Sequence, residues 1–222
     1  SPGSIIVNMA GKRFMNESMP YVEAVHHMYG GQYGQGPGPG ENIPAWLIFD
    51  QRYRNRYLFA GLQPGQRIPK KWLDSGVIVK ADTLAGLAEQ IGVPQQEFLA
   101  TVERFNGFAR TGVDEDFHRG DSAYDRYYGD PTNKPNPNLG EISQAPFYAA
   151  KMVPGDLGTK GGIRTDVHAR ALRDDGSVIE GLYAAGNVSS PVMGHTYPGP
   201  GGTIGPAMTF GYLAALHIAG KV

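Results

Sequence analysis

The 222-residue sequence predicts an α+β fold built in two parts. Three observations carry that expectation. Short strands rich in β-branched and aromatic residues stand near both ends of the chain. Two helical stripes follow one another between residues 82 and 112 instead of alternating with strands. From Leu182 onward the chain reads as a strand, a glycine-rich loop and one long helix. The boundaries expected from these shifts are residues 1–22 and 159–222 for one part and 23–158 for the other.

The elements follow in order. Ser1-Pro2-Gly3-Ser4 is not a natural start, and the first methionine is Met9. We therefore expect an upstream domain outside this sequence. Residues 4–9 read as a strand through Ile5, Ile6 and Val7, with its partners expected upstream. Residues 45–50 read as a buried strand. Residues 51–60 carry Arg52, Tyr53, Arg54, Arg56 and Tyr57, which suggests a helical turn with a solvated basic face. Asp82 is placed to cap a helix whose stripe is Leu84, Leu87, Ala88 and Ile91, stopped by Gly92. Pro94 opens the next, with Phe98, Leu99, Val102, Phe105 and Ala109 on one face and Gly112 at its end.

Residues 112–146 read as a solvated loop. Its acids and histidine (Asp114, Glu115, Asp116, His118, Asp121, Asp125) fit no calcium-loop spacing. Strands are expected at 147–152 and 161–165. A hairpin turns at Asp174-Asp175-Gly176, between 171–173 and 177–179. A short strand at 182–185 and a helix at about 203–219 close the chain.

Composition narrows the chemistry. Cysteine is absent, which removes disulfides and thiolate sites. The formal net charge is -1 and no basic patch stands out, which argues against nucleic acid as a partner. The six histidines show no metal-ligand spacing, so no metal is expected. No apolar run reaches the roughly 18 residues of a membrane span. A cytoplasmic location follows as an expectation, with membrane contact at most peripheral through a surface patch. Glycine is the outlier, with 32 residues concentrated at 30–40 and 194–211. The first cluster reads as loop, the second as backbone that must approach a ligand.

The second cluster holds the most informative stretch, Gly181-Leu182-Tyr183-Ala184-Ala185-Gly186-Asn187 followed by the run from His195 to Gly211. A helix start offers unpaired N–H groups and partial positive charge. Gly201, Gly202 and Gly205 would let a planar ligand or an oxyanion reach that backbone. A tight strand-to-helix turn explains the loop alone equally well.

This stretch resembles the closing FAD segment of the fumarate reductase-like flavoproteins, and most of all that of the 3-ketosteroid Δ1-dehydrogenases. Gly11-Lys12-Arg13-Phe14-Met15-Asn16-Glu17, Pro20-Tyr21-Val22-Glu23, residues 121–130 and residues 154–162 are similar to family segments too. The resemblance implies a substrate-binding catalytic domain joined to the C-terminal strands and helix of a Rossmann-like FAD-binding domain. The family's N-terminal Gly-x-Gly-x-x-Gly motif for the pyrophosphate does not occur here.

The resemblance also assigns roles. Tyr197 would donate a hydrogen bond to a C3 ketone, and the Gly201 N–H a second. Tyr21 would remove a C2 proton while hydride passes from C1 to flavin N5. Gly186, Asn187, Gly202, Thr203, Ile204 and Gly205 would contact FAD, with Asn187 at its ribityl or pyrophosphate region. Apart from the resemblance, His195 is placed either to orient Tyr197 or to serve a structural role in its loop, and His26 and His27, close to Tyr21 in sequence, are expected to pack or line the substrate channel. The implied partners are a steroid substrate, the N-terminal FAD-binding portion and an external electron acceptor. A free tyrosine has a pKa near 10, so a base at Tyr21 needs a neighbouring tyrosine or a helix start to lower it, or ketone donors that make the proton acidic enough. Three alternatives stay open: a relative desaturating C4–C5, a ketone ene-reductase, and a non-catalytic fragment or binding module.

Overall fold

The computed structural model describes residues 1–31, 38–156, 158 and 161–222. The chain is α+β and divides into two compact units, Ser1–Pro154 and Gly155–Val222. Residues 1–22 lie in the first unit.

Unit 1 is built on a four-stranded antiparallel sheet of order β1-β2-β4-β3. The strands are β1 (Ser4–Val7), β2 (Ala45–Asp50), β3 (Ile78–Ala81) and β4 (Phe147–Met152). β1 pairs along its length with β2, Ile5 facing Ile48 and Val7 facing Trp46. The expectation that its partners lie outside the chain is thereby corrected: strand pairing depends on distant residues that local sequence does not reveal. Side-chain alternation gives the sheet two apolar faces. On one, Ile5, Val7, Ile48 and Ala149 pack with Leu87, Phe98 and Phe105. On the other, Phe49, Ile78 and Tyr148 pack with Tyr53, Phe59 and Leu62.

The helices of unit 1 are α1 (Tyr21–Met28), α2 (Gln51–Arg56), α3 (Lys70–Asp74), α4 (Leu84–Ile91), α5 (Gln95–Thr111) and α6 (Ala123–Tyr127). α4 begins at Thr83, whose Oγ1 accepts the Gly86 N–H at 3.0 Å. The cap is therefore one residue beyond Asp82. Gly92 and Gly112 end α4 and α5 in the left-handed region, at φ 72° and 85°.

Two readings of charge are corrected. Arg54 is 1% exposed, so α2 does not turn a wholly solvated basic face outward. In the segment after Gly112, Asp114 and Asp125 are buried. Asp114 takes a 2.8 Å ion pair from Arg13. Asp125 accepts the Gly120 N–H and the Asn16 side chain.

Unit 2 contains the hairpin β5 (Arg170–Leu172) and β6 (Val178–Tyr183), then α7 (Ile204–Ile218). Gly176 takes the turn at φ 84° and the Asp175 carboxylate accepts the Ser177 N–H at 2.9 Å. β6 runs on through Leu182, so the separate strand expected at 182–185 is the end of this one. The strand expected at 161–165 reduces to single bridges, Ile163 to Ser189 and Thr165 to Ala171. No helix among the described residues is long and apolar enough to cross a membrane.

Candidate active site

The sequence-selected residues fall in both units. Tyr21 is the first residue of α1 and directly follows Pro20, whose extended backbone sits at φ -53° and ψ 137°. Proline's fixed φ and missing N–H suit it to a helix entry. Met28 anchors the far end of α1 against Ile6, Met15 and Ala45. Tyr21 itself is 51% exposed. On the same helix Glu23 and His26 approach within 3.3 Å. Much of the glycine cluster at 30–40 lies outside the described residues.

The other selected residues lie in unit 2, around the start of α7. β6 leads through buried Ala184 into a 3-10 turn at Gly186–Val188. Gly186 sits at φ 74°, and a Cβ there would stand 3.4 Å from the Cβ of Ala207 on α7. Glycine thus lets the turn lie close against the helix. The Gly186 carbonyl accepts both the Ser189 N–H, at 3.1 Å, and the Ser189 hydroxyl, at 2.8 Å. Asn187 is exposed, and its side-chain amide bonds to no protein group among the described residues.

Tyr197 precedes α7 by seven residues and is half-buried. Its ring edge lies against Gly202: a Cβ there would come within 3.1 Å of the ring. Gly201 adopts φ 91°, a region that L side chains rarely enter. Its carbonyl accepts the Gly205 N–H at 2.8 Å, while the Gly202 N–H turns back to the Gly199 carbonyl at 3.0 Å. The N–H groups of Gly201, Thr203 and Ile204 engage no acceptor among the described residues. They sit where a helix carries its orphan donors and its partial positive charge.

A small cavity of about 40 Å³ joins several of these groups. Gly186, Asn187, Gly202, Thr203, Pro206 and Phe210 line it. Four of the six residues expected to contact cofactor therefore share one surface within unit 2. Ser189, Ser190 and Phe210 were not singled out from sequence. A serine pair directly after a glycine turn and an aromatic one helical turn past Pro206 were the available signals.

This surface fits FAD on its own chemistry. Unengaged N–H donors at the positive end of a helix suit an electron-rich carbonyl or an anionic oxygen. The bare Gly201 and Gly205 backbones, with nothing within 4 Å of an added Cβ, leave room for a flat ring or chain to approach. Among the described residues no group of three or more His, Asp or Glu is placed to hold a metal ion.

Comparison with known proteins points the same way. A family model described as FAD binding domain matches residues 1–204. The chain is 88% identical over 219 residues to the 3-oxosteroid 1-dehydrogenase of Mycolicibacterium smegmatis, covering 99% of this chain and 38% of that protein. It is 47% identical over 221 residues to 4-oxocyclohexanecarboxylate 2-dehydrogenase of Sinomonas cyclohexanicum, covering 99% of this chain and 37% of that one. The crystal structure of 3-ketosteroid delta1-dehydrogenase from Sterolibacterium denitrificans, in complex with 1,4-androstadiene-3,17-dione, superposes with a TM-score of 0.92 at 48% identity. That match covers all of this chain and 39% of the other. The chain thus spans well under half the length of the relatives it matches, and it belongs to the FAD binding domain family.

Proposed function

We propose that the protein to which this chain contributes carries out FAD-dependent 1,2-dehydrogenation of a 3-ketosteroid. The observation that carries the proposal is the loop before α7. There a tyrosine ring lies against Gly202 and the preceding Gly201 N–H engages no acceptor among the described residues, in a chain 88% identical to a 3-oxosteroid 1-dehydrogenase.

The chain's own residues divide the work. Tyr197 donates its hydroxyl hydrogen to the C3 ketone, and the Gly201 N–H donates a second bond to the same oxygen. Two donors aimed at the charge that develops there stabilise an enolate, each by about 3–4 kcal/mol. Polarising the ketone makes the C2 proton acidic, and Tyr21 removes it. Its place at the first turn of α1 supports that role, since a helix start favours negative charge. Gly186, Asn187, Gly202, Thr203, Ile204 and Gly205 hold FAD. Bound there, FAD supplies the electron acceptor for the hydrogen leaving C1.

Unit 1 with its mixed core is the substrate-binding part, and unit 2 belongs to the FAD-binding part. α7 supports the second assignment. Ile204, Met208 and Tyr212 recur at helical spacing and are 63%, 69% and 64% exposed. An apolar stripe of that kind suits burial against the remaining length of a longer protein. An external electron acceptor completes the cycle, and we place the enzyme in the cytoplasm.

A second reading has one specific observation behind it, the match to a dehydrogenase of a cyclohexanone carboxylate. Both reactions need a ring ketone held by donors. The higher identity to the steroid enzyme favours the steroid.

Tyr197→Phe in the complete protein tests the ketone-donor role. Turnover should fall by about 100-fold, while the flavin absorbance of the purified protein stays at one equivalent. Unchanged turnover would remove Tyr197 from the chemistry.

A further inference from the structure

Unit 1 carries a second, larger cavity, of about 580 Å³, formed only by its own residues. That volume falls in the range of small-molecule sites, roughly 300–1,000 Å³. Arg54, Arg67 and Lys80 line it together with Ile68, Leu73 and Tyr148. No carboxylate lines it.

Arg54 makes the electrostatics of this cavity unusual. Its side chain is 1% exposed. Its guanidinium donates only to carbonyls: Tyr57 at 2.9 Å, Gln63 at 3.1 Å and Gln66 at 2.9 Å. Its Nε has no partner among the described residues. Asp50, one turn away, points its carboxylate instead at the Tyr53, Ser143 and Gln144 amides. A buried cation without a carboxylate is costly unless opposite charge comes near it. Arg67 and Lys80 add two more cations at the mouth, both exposed and neither in an ion pair among the described residues. Two of the three carbonyl bonds of Arg54, to Gln63 and Gln66, fix the 63–66 loop that forms the wall, so the site is held in place by the charge it leaves unbalanced.

We propose that this cavity binds a phosphate dianion, free or as the monoester of a small organic molecule. Arg67 and Lys80 contact the phosphate oxygens directly. Arg54 acts through its field, its Nη donors being turned to the wall. Lys80 stands opposite Tyr148 in the β3–β4 register, so both side chains lie on the same face of the sheet. The Tyr148 hydroxyl is fixed by donation to the Gln51 side chain at 2.7 Å. Ile68, Leu73 and the Tyr148 ring give an ester's organic portion an apolar surface. None of these residues belongs to the site around α7, so the inference stands independently of the dehydrogenase reading.

The test is titration of the complete flavoprotein with inorganic phosphate and, separately, with adenosine monophosphate, followed by calorimetry at low ionic strength. At least one probe should bind saturably with one site per chain. Tighter binding of the nucleotide identifies a monoester as the occupant; equal binding identifies free phosphate. An Arg67→Ala, Lys80→Ala double variant should bind at least tenfold more weakly, with flavin content and steroid turnover unchanged. A double Arg67→Lys, Lys80→Arg variant should recover most of the affinity. Absence of saturable binding by either probe, or equal affinity in the alanine variant, overturns the proposal.

Discussion

Arg13, Glu17, Asp114 and Arg119 form a buried ionic cluster in unit 1. Arg13 pairs with Glu17 and with Asp114, both at 2.8 Å, and Arg119 pairs with Glu17 at 3.0 Å. Burial opposes ionisation of Glu17, but the guanidiniums of Arg13 and Arg119 outweigh it and hold its carboxyl below the ordinary value. Asp114 is shifted down in the same way, burial being overcome by hydrogen bonds and charge from Arg13. A carboxyl whose pKa is lowered in the folded state adds stability above its unfolded pKa, about 4, and loses it as pH falls through the folded value. Stability should therefore decline steeply below about pH 4. Glu17→Gln should flatten that decline and cost about 3–5 kcal/mol at neutral pH, measured by denaturant unfolding across pH, because it leaves the buried Arg119 without a carboxylate and Arg13 with Asp114 alone. These partners lie far apart in the chain; Arg13 and Asp114 are 101 residues apart. That is why the acidic segment after Gly112 read as solvated; Arg54 read as surface because its partners are backbone carbonyls, which residue types do not announce. Charge alone predicts exposure, and burial is revealed only by a distant partner or a ring of carbonyls.

At the scale of elements, local punctuation was largely legible. The stripes at Leu84–Ile91 and Gln95–Thr111, with glycines closing both, follow from spacing and stop signals. The cap moved by one residue because Asp82 and Thr83 are both good capping types and only geometry selects Thr83. Thr83→Ala should lower stability by about 1 kcal/mol in denaturant unfolding, while Asp82→Ala leaves the α4 cap intact. The strand expected at 161–165 failed for another reason: its pairing consists of single bridges, which periodicity does not register. The loop before α7 offers a sharper test. Gly202→Ala places a methyl 3.1 Å from both the Tyr197 ring and the Gly199 carbonyl. The methyl displaces the ring, so turnover per bound flavin should fall in the complete protein, measured alongside its flavin content. Full activity would show that Tyr197 tolerates displacement.

At the scale of the molecule, the two units have different characters. Unit 1 owns a sheet with two packed faces and a buried ionic cluster. Unit 2 is a hairpin and one long helix with an exposed apolar stripe. Motif logic located the glycine loop and helix start from sequence, since each residue type there answers a backbone requirement. The roles proposed for Tyr21 and Tyr197 were open to sequence only through resemblance. The measurement that tests the proposed reaction most directly is product analysis with the complete flavoprotein, a saturated 3-ketosteroid and an artificial electron acceptor. Proton and carbon NMR of the product should show a new C1–C2 double bond conjugated to the C3 ketone. A double bond at C4–C5 instead, or no desaturation by a protein that retains its flavin, would contradict it.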